Sequence, residues 1–434
     1  MATTGPAGWD ARIYAKAIQY LRHGVDPYAA GIAEQEAFRS HAASRPSEHA
    51  PFTYVYSPLT LPLLRSLARL PNWLLSSLFW SALGAGFLLQ LWAGFQLAEE
   101  QERRWLALLL PAVGFFPGLI TDDVILSGNL AYLLYGVVLA AAVPGWKRGR
   151  WLWFYLAVLA ASVFKVQLLT LLAFPILVGR RQWLPAGGTA TAGLLLVAGQ
   201  ARLWPELFRE QMQTIRIMFD VIPDFGYGPA GVLGRALWMH GRPYSPATTI
   251  LYLAFAAALG ISLLFLASRV RQNNLSREAW IPVALVGTFL LNPRIMKYDM
   301  AAITIPMLLI GWRGLRCAWA RFHATADPSR DASLRLSDDP AAAAFKSPAR
   351  SFWRNMPDAR LLMVAATCFL IPNVLTVAGP SWWPVELIVL LSVFAMGAWS
   401  LHLSQVEATR ELQPVRFPRK EMSPLGTVRS DLVE

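Results

Sequence analysis

Four stretches of this chain, residues 73 to 98, 124 to 146, 182 to 201 and 243 to 268, contain no Asp, Glu, Lys or Arg. Each is close to the ~20 residues that a helix, rising ~1.5 Å per residue, needs to cross ~30 Å of hydrocarbon. Only 15% of all residues are charged and 55% are hydrophobic, whereas globular chains carry about 25% charged residues. The reading excludes a soluble enzyme. The expected fold class is all-α: a polytopic membrane protein with about ten hydrophobic helices or half-helices and further helices lying at the interface.

Tryptophans at the ends of apolar runs (Trp73, Trp146, Trp151, Trp183, Trp312, Trp383) suit amphipathic rings resting at headgroup level. The net charge of +12 is a weak argument for nucleic acid. Lys147-Arg148-Gly149-Arg150, Arg180-Arg181 and Arg269-Val270-Arg271 each sit beside a span end, which membrane topology explains. Cys317 and Cys368 are the only cysteines, so neither a disulfide framework nor a metal site is expected. The first dozen residues show no secretory signal pattern.

If the basic loops are cytoplasmic, residues 73 to 98 run inward, 105 to 120 outward and 124 to 146 inward. Residues 151 to 178 have basic loops at both ends, so they cross an even number of times. Each half is only about 20 Å long, which predicts a re-entrant pair, or two short tilted helices, meeting near Phe164-Lys165. Residues 182 to 200 then exit, 246 to 268 return, 279 to 292 exit and 299 to 312 return. The segmentation is an extracytoplasmic loop (1–72), a transmembrane core (73–321) with an outer loop (201–245), and a flexible cytoplasmic linker (322–359). An appended helix pair (360–403, crossing at 361 to 379 and 383 to 401) and a disordered basic tail (404–434) complete it. Residues 11 to 23, closed by Gly24, and Trp204 to Phe219 have the amphipathic pattern of helices on a bilayer surface.

Most of the polar residues worth weighing lie in the outer segments. Asp10 precedes the first amphipathic helix, and its ordinary role there is to cap it. Asp26-Pro27 is an ordinary turn initiator. The stretch from Pro51 to Pro58 carries Tyr54 and Tyr56 and reads as an interfacial anchor. Gly128-Asn129, early in a span, suits helix packing. Lys165 is different, because a lysine amid apolar sequence is costly unless it pairs or lines a wet cavity. Asn292 to Met300 places Arg294, Lys297 and Asp299 between two short apolar runs. It is either a turn in which Asp299 neutralises Lys297 or Arg294, or an anion site at a proline-broken helix pair.

These features in this order resemble the GT-C glycosyltransferases, specifically glycosyltransferase family 87, membrane mannosyltransferases that use polyprenyl-phosphate mannose. The resemblance rests on Asp10 with Ala11 to Tyr14, Gly24-Val25-Asp26-Pro27-Tyr28, and Tyr54-Val55-Tyr56-Ser57-Pro58-Leu59. It continues through Gly128-Asn129, Lys165 in a run ending at Arg180-Arg181-Gln182-Trp183, and Asn292-Pro293 followed by Tyr298-Asp299. It spans residues 9 to 312 and leaves out the linker and the last helix pair.

The resemblance implies that Asp10 is the general base for an inverting transfer of a hexose, mannose by analogy, to a lipid or glycan acceptor. It implies Lys165, Arg294 and Lys297 on the donor phosphate, and Tyr14, Tyr54, Tyr56, Asn129, Tyr298 and Asp299 around the substrates. No metal or other cofactor is expected, nor any nucleic-acid partner. The partners are membrane lipids and the polyprenyl-phosphate sugar, and the site faces the extracytoplasmic side of the cell membrane. The family carries a transmembrane helix before its loop aspartate, whereas here only Met1 to Trp9 precede Asp10, so either a start placed too late or a degraded or divergent member is expected. Asn129 stands where the family commonly has glutamine. A flippase or transporter of lipid-linked sugars and an inactive accessory subunit are the alternatives.

Overall fold

The computed structural model describes residues 8–41, 51–100, 102–104, 106, 127–221, 226–241, 246–273, 275–326 and 385–411. All regular elements among them are helical. The expected spans at 105 to 120 and 361 to 379, Thr121 to Asp123, and most of the linker and tail lie outside the described residues.

Helix α1 (Trp9–Arg22) ends at Gly24, whose φ of +72° suits the turn. Helix α2 (Pro27–His41) starts on Asp26, whose Oδ1 accepts from Tyr28 N at 2.7 Å, with Pro27 at the first helical position. A 3-10 turn and the short α3 (Leu61–Leu67) follow. The apolar face of α1 (Ile13, Tyr14, Ala17, Ile18) is buried against Tyr28, Tyr54, Leu61 and Leu64. This differs from a helix lying on a bilayer: the aromatic stretch from 52 to 56 supplies an apolar partner that periodicity could not reveal. Tyr20 of α1 donates to Glu34 of α2.

Helix α4 (Asn72–Leu97) lies along α5 (Ala131–Arg148). Their crossing depends on two glycines. A Cβ on Gly86 would stand 2.7 Å from Leu133 backbone, and one on Gly136 would stand 2.5 Å from Gly86 O. Next comes a hairpin: α6 (Leu152–Ser162), a bend at Lys165, a 3-10 segment (Val166–Leu172) and α7 (Ala173–Val178). Its base is closed by the Trp151 ring against Gly145 and Gly179, and by Tyr155 OH donating to Gln182 Oε1 at 2.9 Å. Lys165 therefore sits at the tip, where the doubled-back pair was expected. Seven residues of 3-10 helix exceed the usual three or four and mark a segment shaped by its contacts.

Helix α8 (Trp183–Leu203) leads into α9 (Pro205–Val221), which packs on α2, and α10 (Pro229–Met239) precedes α11 (Pro246–Gln272). Helix α12 (Arg277–Leu290), capped by Ser276 Oγ, and α13 (Ala301–Ala326) flank the 292–300 turn. Helix α13 runs five residues past the expected linker boundary at 321, because nothing breaks it before Asp327-Pro328. The last helix, α14 (Val385–Glu411), likewise passes the expected tail boundary at 404, its extension Gln-Val-Glu-Ala-Thr-Arg-Glu being largely good helix formers. It is no appendage: Phe394 packs where Gly287 of α12 leaves room, and Gly397 lies against Val283.

Two helices, α4 and α11, are by length and composition able to cross a membrane, and shorter apolar helices accompany them. The long helices share two ends. At one, Asn72, Asn129, Gln200 and Leu291 meet α1, the 51–60 segment or α11. At the other, Arg313 holds Glu102, Leu97 O and Glu278 O, and Arg271 reaches the 176–179 carbonyls. These are the Asp10 end and the Arg313 end below.

Candidate active site at the Asp10 end

Asp10 does not cap α1. Gly8, at φ +75°, holds the N-cap position and no side-chain cap bond forms. Asp10 is the second helical residue, buried, and its Oδ2 accepts from Asn129 Nδ2 at 2.8 Å across 119 residues. The amide's orientation follows from its other end, since Asn129 Oδ1 accepts from Ala131 N at 2.8 Å at the start of α5. Gly128 (φ +63°) makes the approach feasible. A side chain there would be conformationally strained and would meet Ala11 Cβ at 3.0 Å, in the first turn of α1. Gly128-Asn129 thus docks the helix that carries Asp10, a more specific role than packing.

Two phenols line the same place. Tyr14 and Tyr56 stack with centroids 4.9 Å apart. Burial, with the neighbouring phenol and the Asp10 carboxylate, pushes the Tyr14 pKa well up. Burial and then Asp10 do the same for Tyr56, which also shares a hydrogen bond with Asn129. Both stay neutral hydroxyls at physiological pH. Tyr54 stands behind them, 5.5 Å from Tyr56, with its hydroxyl committed to Thr60. Tyr28, fully buried, donates to Tyr56 O. This supporting role was not read from the sequence, where Tyr28 followed a turn.

The second group centres on Lys165, whose Nζ lies 3.1 Å from Asp299 Oδ1 and 4.4 Å from the Tyr298 ring centroid. Lys165 is 8% exposed and Asp299 fully buried. Asp299 Oδ2 accepts from Met296 N at 3.0 Å, so one carboxylate shapes its own turn and holds a cation 134 residues away. Neither reading of this turn names Lys165 as the cation that Asp299 serves. Arg294 donates its backbone N–H to Asn292 Oδ1 at 3.1 Å. The Lys297 side chain lies outside the described residues. Asn292 Nδ2 reaches Tyr135 OH at 3.4 Å, and Tyr227 N donates to Ile295 O at 2.6 Å, fastening the turn from two sides.

Tyr298 joins the two groups. Burial raises its pKa first, then the charges of Asp10 and Asp299, while Arg294 opposes them. Asp10, Tyr14, Tyr56, Asn129, Tyr298, Asp299, Lys165 and Arg294 therefore share one electrostatic neighbourhood. No family model, curated protein or solved structure matches the chain. The chemistry must therefore be argued from these residues. A carboxylate with one oxygen fixed by an amide can take a proton from a bound hydroxyl, and a buried ammonium can stabilise charge on a nearby anion. The cavity bounded by Gln90, Gly94, Trp146 and Ile305 is about 10 Å³, room for about one water, and none of its lining residues is titratable.

Proposed function

We propose that the chain is a multi-pass membrane glycosyltransferase that moves a hexose, mannose by resemblance, from a polyprenyl-phosphate carrier to a lipid or glycan hydroxyl. The observation that supports it is the convergence of Asp10, fixed by Asn129, and Lys165, held by Asp299, around Tyr298 at one end of the bundle. In this reading the Asp10 end faces outward and the Arg313 end, with its basic loops, faces the cytoplasm. The exposed faces of α4, α8 and α11 carry large apolar side chains (Leu88, Leu195, Ile261), which suits contact with lipid.

Asp10 takes the proton of the acceptor hydroxyl as its oxygen bonds to the anomeric carbon from the face opposite the phosphate. The bond from that carbon to the phosphate oxygen breaks, and its electron pair leaves with the lipid phosphate. Lys165 and Arg294 offset the charge that develops there. No general acid is needed, because the leaving group departs as an anion.

The test incubates purified protein with labelled polyprenyl-phosphate mannose and membrane lipids. Labelled glycolipid should form, and Asp10→Asn, which keeps an oxygen for Asn129, should lower the rate by about 10² to 10⁴. Equal rates in both proteins would remove Asp10 from the mechanism. Carrier flux across liposomes without turnover would replace transfer with transport.

A further inference from the structure

We infer that the Arg180-Arg181 turn, at the base of the Lys165 hairpin, binds the headgroup of an anionic phospholipid. The inference rests on the membrane placement proposed above and not on glycosyl transfer. Between Asp123 and Glu206 the sequence has no acidic residue. The fold then adds cations to that stretch. Arg271 Nη2 donates to the carbonyls of Ile176, Leu177 and Gly179 at 2.9, 3.1 and 3.1 Å, and Arg277 Nη2 lies 3.5 Å from Val178 O. Arg150 precedes Trp151, whose ring packs on Gly179. Four arginines therefore belong to or contact residues 176 to 182: Arg180, Arg181, Arg271 and Arg277.

Arg271 and Arg277 use their donors on backbone carbonyls, which fixes the turn while their charge remains. Arg180 and Arg181 are exposed, and neither forms an ion pair among the described residues. Glu278, the acid beside Arg277, is engaged by Ser276 Oγ at 2.9 Å. The surface wants an anion. What selects a lipid over a free phosphate or a nucleic acid is the adjoining apolar surface. Leu152, Trp153, Trp183 and Leu184 flank the arginines in sequence and are all well exposed, Leu184 at 88%. A ligand that satisfies both parts carries a phosphodiester next to acyl chains, with the tryptophans at headgroup level.

Backbone conformation supplies a clean variant. Arg181 has φ +55°, the one non-glycine positive φ among the described residues. Glycine suits that conformation better than arginine, so Arg181→Gly removes the charge without straining the turn. The experiment compares the full chain with the R180Q/R181G variant in detergent, each titrated with phosphatidylglycerol, phosphatidylcholine or inorganic phosphate. Melting temperature and native mass spectrometry provide the readouts.

Phosphatidylglycerol should raise the melting temperature of the unmodified chain and persist as a bound adduct, and phosphatidylcholine should not. The variant should melt at the same temperature in phosphatidylcholine and bind phosphatidylglycerol about thirtyfold more weakly, the effect of two basic residues near an anionic surface. Equal responses to both lipids, or a variant that keeps the preference, would overturn the proposal. So would an equal shift with inorganic phosphate, which would make this a site for free anions. A chain that stays soluble without detergent and floats with neither type of vesicle would instead refute the membrane placement beneath it.

Discussion

Each end of the bundle holds a buried ion pair, and the two pairs are built differently. At the Arg313 end, Glu102 is 1% exposed and Arg313 meets it with two donors, Nε to Oε1 at 2.7 Å and Nη2 to Oε2 at 2.8 Å. The same guanidinium reaches Glu278 O at 2.5 Å and Leu97 O at 3.3 Å. At the Asp10 end, Lys165 makes one hydrogen bond to Asp299 and one ring contact among the described residues. A planar fork with four of its five N–H donors engaged is a structural clamp. A compact ammonium with three donors, one of them on a carboxylate, retains capacity for a ligand.

Removing one partner of a buried pair leaves the other charge uncompensated, at a cost of about 3–5 kcal/mol. Asp299→Ala and Arg313→Met should each lower thermal stability in detergent by about that much, the largest effects expected here. Activity separates them. Below its melting temperature Arg313→Met should retain transfer, whereas Asp299→Ala should lose it, since Lys165 is no longer held. A folded Arg313→Met protein with no transfer would erase the distinction between clamp and site.

Asn129→Leu comes next. It keeps the volume but removes the donor to Asp10 and the acceptor for Ala131 N, and a hydrogen bond to a charged group contributes about 1.5–3 kcal/mol. Stability should fall within that range. The acidic limb of the pH–rate profile should move upward, because a carboxylate that loses a donor becomes more basic. A profile that stays in place would show that Asn129 only docks α1.

The Lys165 hairpin was legible in sequence because three local facts agreed: a cation amid apolar residues, basic loops at both ends, and halves too short to cross. Asp299 as its partner was not, since nothing local distinguishes a carboxylate serving Arg294 from one serving a residue 134 positions away. Asp10 was ambiguous for a related reason. An aspartate at a helix start signals a cap, and only the left-handed Gly8 and the amide of Asn129 free it from that role. The boundaries at 321 and 404 were misplaced because hydropathy falls there while helix propensity does not.

Arg271→Gln weakens the Arg313 end by a smaller amount. Its three carbonyl contacts lie at the surface, where hydrogen bonds contribute about 0.5–1.5 kcal/mol each before water replaces them. A loss of about 1 kcal/mol with transfer unchanged is expected. A larger loss of transfer than of stability would mean that the hairpin base communicates with Lys165 at its tip.

The smallest effect at neutral pH is confined to the Asp10 end. Tyr14 and Tyr56 have pKa values raised well above 10.0, first by burial, and Tyr28 and Tyr54 are raised for the same reason. For each group the unfolded phenol ionises near 10.0 while the folded one resists. The stabilisation is therefore complete below that pH and is lost as pH climbs through the folded-state values. No change should be seen between neutral pH and about 10. Above it the α1 region should open while the Arg313–Glu102 clamp holds, because arginine stays charged there. Tyrosinate absorbance should then rise cooperatively, with increased hydrogen exchange in α1 and α3 before α12 and α13. Gradual ionisation of these phenols at ordinary values would mean that the aromatic cluster is open to water, and the contrast between the two ends would fail at the Asp10 end.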